Sequence, residues 1–170
     1  IMVAFPIYRT YISDGHYSQT DRNTVEAAVK RAIQNNPALT PELDFMRKFL
    51  LLDYPLYSQE ANQMEWLNFV MRLQQFTGPL MAKALEDTSF YVYNRLISIN
   101  EVGGDPGTFG QSVSDFHGFI KRRFNRWPAS LNTTSTHDTK RGEDSRARIN
   151  VLSEIPNEWE MALKRWNRLN

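Results

Sequence analysis

The sequence has 170 residues, a net charge of +1 and no cysteine. That length buries one substantial core or two small ones. The near-zero charge makes no electrostatic case for nucleic acid or an anionic membrane. The missing cysteines exclude disulfides and thiolate metal sites, and no apolar run approaches the roughly 20 residues that span a bilayer. No signal-peptide pattern opens the chain. It begins with Ile1 rather than Met, so it is expected to be cut from something longer.

In chain order, residues 2–12 are rich in β-branched and aromatic side chains and predict a strand, with Pro6 demoting its middle. Residues 13–23 predict a loop, with Asp14-Gly15 as its turn signal and His16 as a solvent histidine. From Thr24 the pattern turns helical, with Val25, Val29, Ala32 and Ile33 at helical spacing and Asn35-Asn36-Pro37 as the stop. Thr40 then predicts an N-cap before Pro41, and Leu43, Met46, Phe49 and Leu50 a buried stripe ended by Asp53-Tyr54-Pro55. A longer helix is expected to run from Ser58 or Gln59 to about Phe76, on a core stripe of Trp66, Phe69, Val70, Leu73 and Phe76. Gly78-Pro79 is expected to break it, and a further helix to follow over residues 80–99. An α count puts Leu80, Ala84, Tyr91 and Leu96 toward a core, and Lys83, Glu86, Asp87 and Asn94 on the other side. Lys83 and Asp87 also suit a plain i,i+4 ion pair on a solvated face.

Residues 101–110, with Gly103, Gly104, Pro106, Gly107 and Gly110, predict a loop. A helix over residues 112–124 follows, with Val113, Phe116, Phe119 and Ile120 inward and His117 at the boundary. Its basic end, Lys121-Arg122-Arg123-Phe124-Asn125-Arg126, suits the negative pole of a helix better than it suits a nucleic acid. Leu131, Thr133, Thr134 and Thr136 predict a short second strand. A loop with His137-Asp138 comes next, then a helix over residues 143–152 opened by Glu143 and Asp144. After Pro156 a last helix places Trp159, Leu163 and Trp166 on one face. Helices dominate this reading, against two short strands.

The string Thr134-Ser135-Thr136-His137-Asp138-Thr139-Lys140-Arg141-Gly142-Glu143-Asp144-Ser145-Arg146-Ala147-Arg148 resembles a motif of the maltooligosyl trehalose synthases, in the α-amylase superfamily (glycoside hydrolase family 13). A second resembling block runs from Gly78-Pro79-Leu80 through Lys83, Glu86-Asp87-Thr88-Ser89-Phe90-Tyr91 and Tyr93-Asn94-Arg95 to Asn100-Glu101-Val102-Gly103-Gly104-Asp105-Pro106. A third is Phe5-Pro6-Ile7-Tyr8-Arg9-Thr10-Tyr11. Order and spacing agree over essentially the whole chain. Ala84 and Val92 depart from the pattern, where Gly and Arg are usual.

The resemblance implies a mainly α segment: a helical domain inserted in a (β/α)8 barrel, with a few short barrel-derived strands. Residues 1–13 would be a barrel strand, residues 14–128 the helical domain, and residues 129–170 a barrel strand, the His-Asp loop and the helices after it. The implied activity is that of a (1->4)-alpha-D-glucan 1-alpha-D-glucosylmutase, an isomerase of trehalose biosynthesis. It turns the reducing-end α-1,4 linkage of a maltooligosaccharide into an α,α-1,1 linkage by intramolecular transglucosylation. In that scheme Asp138 stabilises the transition state and His137 donates to the same sugar. Lys140, Arg141, Arg9, Tyr11, Lys83, Glu86 and Asp87 are expected to contact substrate. For Lys140 and Arg141 the competing reading is simple salt bridging. No metal or organic cofactor is implied. The implied partners are the saccharide and the remaining barrel strands of the same polypeptide, the implied location is cytoplasmic, and the isolated segment is expected to be inactive. The alternatives are another glycan hydrolase of the superfamily and a helical interaction module.

Overall fold

The computed structural model describes residues 1–14, 16–55 and 58–170, so Gly15 of the expected Asp14-Gly15 turn lies outside the described residues. The chain is mainly helical. It divides into two compact units, Ile1–Thr88 and Ser89–Asn170.

The first unit is built on α1 (Gln19–Asn35), α2 (Thr40–Leu50) and α3 (Glu60–Leu80). Helix α1 starts earlier than its apolar stripe suggests. Ser18 and Asp21 form a reciprocal capping box, each side chain receiving the other's backbone N–H. That box satisfies two of the donors a helix start leaves open. Thr40 is not the cap of α2: it has helical backbone angles and its hydroxyl donates to the Pro37 carbonyl at 2.7 Å. Helix α2 ends with Leu52 at φ 53°. The Leu52 N–H reaches the Phe49 carbonyl at 3.1 Å and the Asp53 N–H the Lys48 carbonyl at 2.9 Å, which is the Schellman pattern. Leucine is an unusual choice in that left-handed position, and its side chain is buried in the core.

That core joins Phe5 and Ile12 to Val25, Ala28 and Val29 of α1, Leu50 and Leu51 at the end of α2, and Leu67 and Val70 of α3. Phe49 stacks on Trp66 at 4.0 Å between ring centroids and meets Phe69 edge-on at 5.2 Å. The buried face of α3 is Leu67, Val70, Gln74 and Thr77, so Phe69 and Phe76 of the expected stripe are instead exposed.

Among the described residues no strand forms, which corrects both strand expectations. Residues Met2–Ala4 make a 3-10 turn, residues 6–8 bend, and residues 9–12 take no regular structure. Its backbone is served by side chains. The Gln74 amide accepts the Ile12 N–H at 2.7 Å and donates to the Ile12 carbonyl at 2.9 Å, while Asp21 accepts the Tyr11 N–H. The only bridge among the described residues joins Ser13 and His16. Residues 130–136 are likewise irregular, with Leu131 fully exposed.

Gly78-Pro79 does not break the long helix. Helix α3 continues through Pro79, and from Met81–Ser89 the backbone widens into a π-helix. Proline supplies no N–H and crowds the preceding turn, and a π segment takes up such a fault by bonding i to i+5. The wider turn also rotates the faces away from an α count. Glu86 becomes buried, while Ala84 and Tyr91 are exposed. A single turn, α4 (Phe90–Val92), closes the run at Tyr93, short of the expected end at Ile99.

The second unit carries α5 (Val113–Arg126), α6 (Glu143–Val151) and α7 (Pro156–Leu169). Ser112 caps α5 through the Asp115 N–H at 3.1 Å. The apolar face of α5 is real but uncovered: Val113, Phe116 and Phe119 are exposed, not inward as expected. In α7, Trp159 and Trp166 meet edge-on at 5.5 Å. Helix α6 packs on the 3-10 turn Ile97–Ile99, where the Ser98 hydroxyl donates to Asn150 at 2.6 Å. No helix among the described residues is long and apolar enough to cross a membrane.

Candidate active-site loop

His137 and Asp138 are the two central residues of a tight turn in the second unit. Thr136 builds it. Its hydroxyl accepts the Asp138 N–H at 3.2 Å, and its carbonyl accepts both the N–H and the hydroxyl of Thr139, at 3.3 and 2.8 Å. A threonine closing a turn on its own side chain leaves the two residues at the tip free to face outward. Both His137 and Asp138 are exposed.

The turn is held from both sides. On the N-terminal side, Thr134 and Ser135 are gripped by the first turn of α6. The Thr134 hydroxyl donates to Glu143, Arg146 donates to the Thr134 carbonyl, and the Glu143 N–H reaches the Ser135 hydroxyl at 3.2 Å. On the C-terminal side the anchor is Glu101. One of its carboxylate oxygens accepts the N–H groups of Lys140 at 2.7 Å and Val102 at 3.0 Å. The other accepts the Arg141 N–H at 3.3 Å and faces the Arg146 guanidinium at 3.7 Å. Burial pushes the Glu101 carboxyl up, but the amides of Lys140, Val102 and Arg141, with the Arg146 charge, outweigh it and hold it below the usual carboxylate range.

Glu101 is itself fixed. The Gly104 N–H returns to the Glu101 carbonyl at 2.8 Å across a turn in which Gly103 has φ 70°, a conformation that glycine adopts without strain. A Cβ on Gly104 would lie 2.9 Å from that same carbonyl oxygen. Next to it Asn100 is buried and donates to the Phe90 and Tyr93 carbonyls at 2.9 and 2.5 Å.

The other expected contact residues fall into separate groups. Arg141 donates to the Ile97 carbonyl at 3.3 Å and lies 5.7 Å over the exposed Tyr91 ring. In the first unit Arg9 sits 4.7 Å over the Tyr11 ring, and Tyr11 is 70% exposed. Lys83 and Asp87 form an exposed i,i+4 pair at 2.6 Å. Glu86 is 3% exposed and accepts the Tyr8 hydroxyl, so it points into the unit and away from solvent. Sequence reasoning missed Glu101, Arg146 and Tyr91 as parts of this loop. The available signal was an acidic residue directly before Val102-Gly103-Gly104, where the turn holds its backbone rigid. Among the described residues no group of three or more His, Asp or Glu is placed to hold a metal ion.

Set beside solved structures, the chain is similar to trehalose synthases. It resembles an internal segment of maltooligosyl trehalose synthase. The Arthrobacter ramosus maltooligosyltrehalose synthase matches 99% of this chain at a TM-score of 0.78 and 36% identity, over 20% of its own length. A Sulfolobus tokodaii protein described as a hypothetical maltooligosyl trehalose synthase matches 98% of the chain at a TM-score of 0.63 and 32% identity, over 19% of its length. A Mycobacterium tuberculosis protein carrying the provisional name of maltooligosyl trehalose synthase is 55% identical over 89 residues, 52% of this chain. The chain spans 12% of the length of the curated relatives it matches. No family model matches the sequence.

Proposed function

We propose that this chain is part of a maltooligosyl trehalose synthase of glycoside hydrolase family 13, acting by a retaining mechanism. In such enzymes a carboxylate nucleophile and a carboxylic acid about 5–5.5 Å apart form and then release a covalent glycosyl-enzyme. If the acceptor is the 1-hydroxyl of the glucose just released and water is excluded, an α-1,4 linkage becomes α,α-1,1. Asp138 serves as the transition-state stabiliser: its carboxylate accepts two sugar hydroxyls and holds the distorted ring. His137 offers a donor to the same sugar. Nucleophile and acid come from parts of the polypeptide outside these residues. Residues 14–128 form a helical insertion, residues 1–13 and 129–170 belong with the barrel, and the whole enzyme works in the cytoplasm without a cofactor.

The observation that carries this reading is the conjunction of the trehalose-synthase likeness with an outward turn whose tip is His137-Asp138. The test uses the intact enzyme and maltopentaose, with analysis of products by chain end. Non-reducing trehalosyl ends support the synthase, and new reducing ends support a hydrolase of the same superfamily. Asp138→Ala is expected to cut turnover by orders of magnitude with an unchanged unfolding midpoint, since it removes an exposed side chain and opens no cavity. Full activity in that variant refutes the role of Asp138.

A further inference from the structure

We propose that Glu101 is a positioning residue for the sugar-binding turn, fixing Asp138 through the backbone that follows it. The inference rests on the role of Asp138 given above. Four features carry it.

Glu101 touches the turn only through main chain. The Lys140 and Arg141 N–H groups that it accepts lie two and three residues beyond Asp138. A bond to a backbone amide fixes where the chain runs, whatever side chain that residue carries. Second, the carboxylate side chain is 15% exposed, so water competes little for its oxygens. Third, its own backbone is pinned by the Gly103 turn and by Asn100. Fourth, Arg146 bonds Thr134 on one arm of the loop and faces Glu101 on the other, so the two anchors share one cation. The His137-Asp138 tip is therefore clamped between α6 and a glutamate 37 residues before Asp138 in the chain.

All four neighbours of the carboxylate are donors, which makes the charge state specific. In Glu101→Gln one acceptor oxygen becomes an NH2 group. Either orientation of the amide then sets donor against donor at an amide of the loop or at Arg146. Glu101→Asp keeps the charge but is one methylene shorter, so it loses reach to one of the two loop amides.

The experiment is a double-mutant cycle in the full-length enzyme with Glu101→Gln, Asp138→Asn and the pair, reading kcat and KM on maltopentaose. A displacement of about 1 Å at a reacting group costs on the order of 100-fold. Glu101→Gln should therefore lower kcat by about that factor with KM little changed, and Glu101→Asp by less. In the Asp138→Asn background, Glu101→Gln should change kcat less than about twofold, because the group it positions is already gone. A residue that only stabilises the fold would lower the unfolding midpoint and act equally in both backgrounds. Additive effects in the cycle overturn the proposal, as does wild-type kcat in Glu101→Gln. If Glu101→Gln does not fold, Glu101→Asp runs the same cycle, and failure of both to fold also overturns it. A fully active Asp138→Asn single variant refutes the proposed role of Asp138 instead, and it is read before the cycle is closed.

Discussion

Replacing Gln74 with methionine should strongly destabilise the first unit. Gln74 is 2% exposed, and its amide makes both ends of a two-point contact with Ile12, itself 2% exposed. Methionine is close in size, so the change opens little cavity. It leaves the Ile12 N–H and carbonyl without their partner in a dry place. Each buried backbone group left unsatisfied costs about 1–3 kcal/mol, so the pair predicts a loss of ~2–6 kcal/mol. The assay is urea unfolding of the chain followed by tryptophan emission, since Trp66 stacks on Phe49 inside this unit. The control is Gln19→Met, whose amide bonds only the exposed Asn23 and should cost less than ~0.5 kcal/mol. A Gln74→Met variant within ~0.5 kcal/mol of the parent refutes the reasoning. Such a result would mean that residues 2–12 find other partners and do not depend on this amide.

Acid should loosen the loop anchor and the start of α1. Glu101 and Asp21 both have lowered pKa values in the folded chain. Their stabilising effect is therefore fully present above the unfolded carboxylate pKa and is lost as pH falls through the folded values. The unfolding midpoint should drop as pH falls below about 5, and drop less in Glu101→Gln; an identical drop in both proteins counts against the anchor. Gly103→Ala, at φ 70°, should cost about 1–2 kcal/mol in thermal unfolding, and a neutral result would show that the turn relaxes. The 170-residue chain alone should give neither trehalosyl product nor new reducing ends from maltopentaose over days of incubation. Turnover lost in Asp138→Asn would show a self-sufficient enzyme.

Helix positions were the most legible part of the sequence. Val25, Val29 and Ala32 recur at helical spacing and are all buried, and Asn36-Pro37 stops α1 where expected. Strand propensity misled at residues 2–12 because β-branched residues report a preference for extended backbone, not the presence of a neighbour to pair with. Here Gln74, 62 residues away, supplies the pairing. Lys83 and Asp87 lie on an exposed face, as the helical count puts them, yet Glu86 turns inward because the backbone over Met81–Ser89 is a π-helix and the count assumes 3.6 residues per turn. In the candidate site, contiguity decided what could be seen. His137, Asp138, Lys140 and Arg141 lie within five positions of each other. Glu101 became part of the loop only through folding, 39 residues from the amide it holds at Lys140.

The uncovered face of α5 has a practical consequence for the chain in solution. Val113 is 74% exposed and Phe124 66%, with Phe116 and Phe119 between them at 52% each, while Lys121, Arg122 and Arg126 are exposed along the same helix. A cationic helix with an aromatic flank is surface-active. The chain should adhere to glass, plastic and the air–water interface, and should lose monomer as its concentration rises. Raising ionic strength would screen the repulsion between those cations and strengthen the apolar contact, so self-association should grow with added salt.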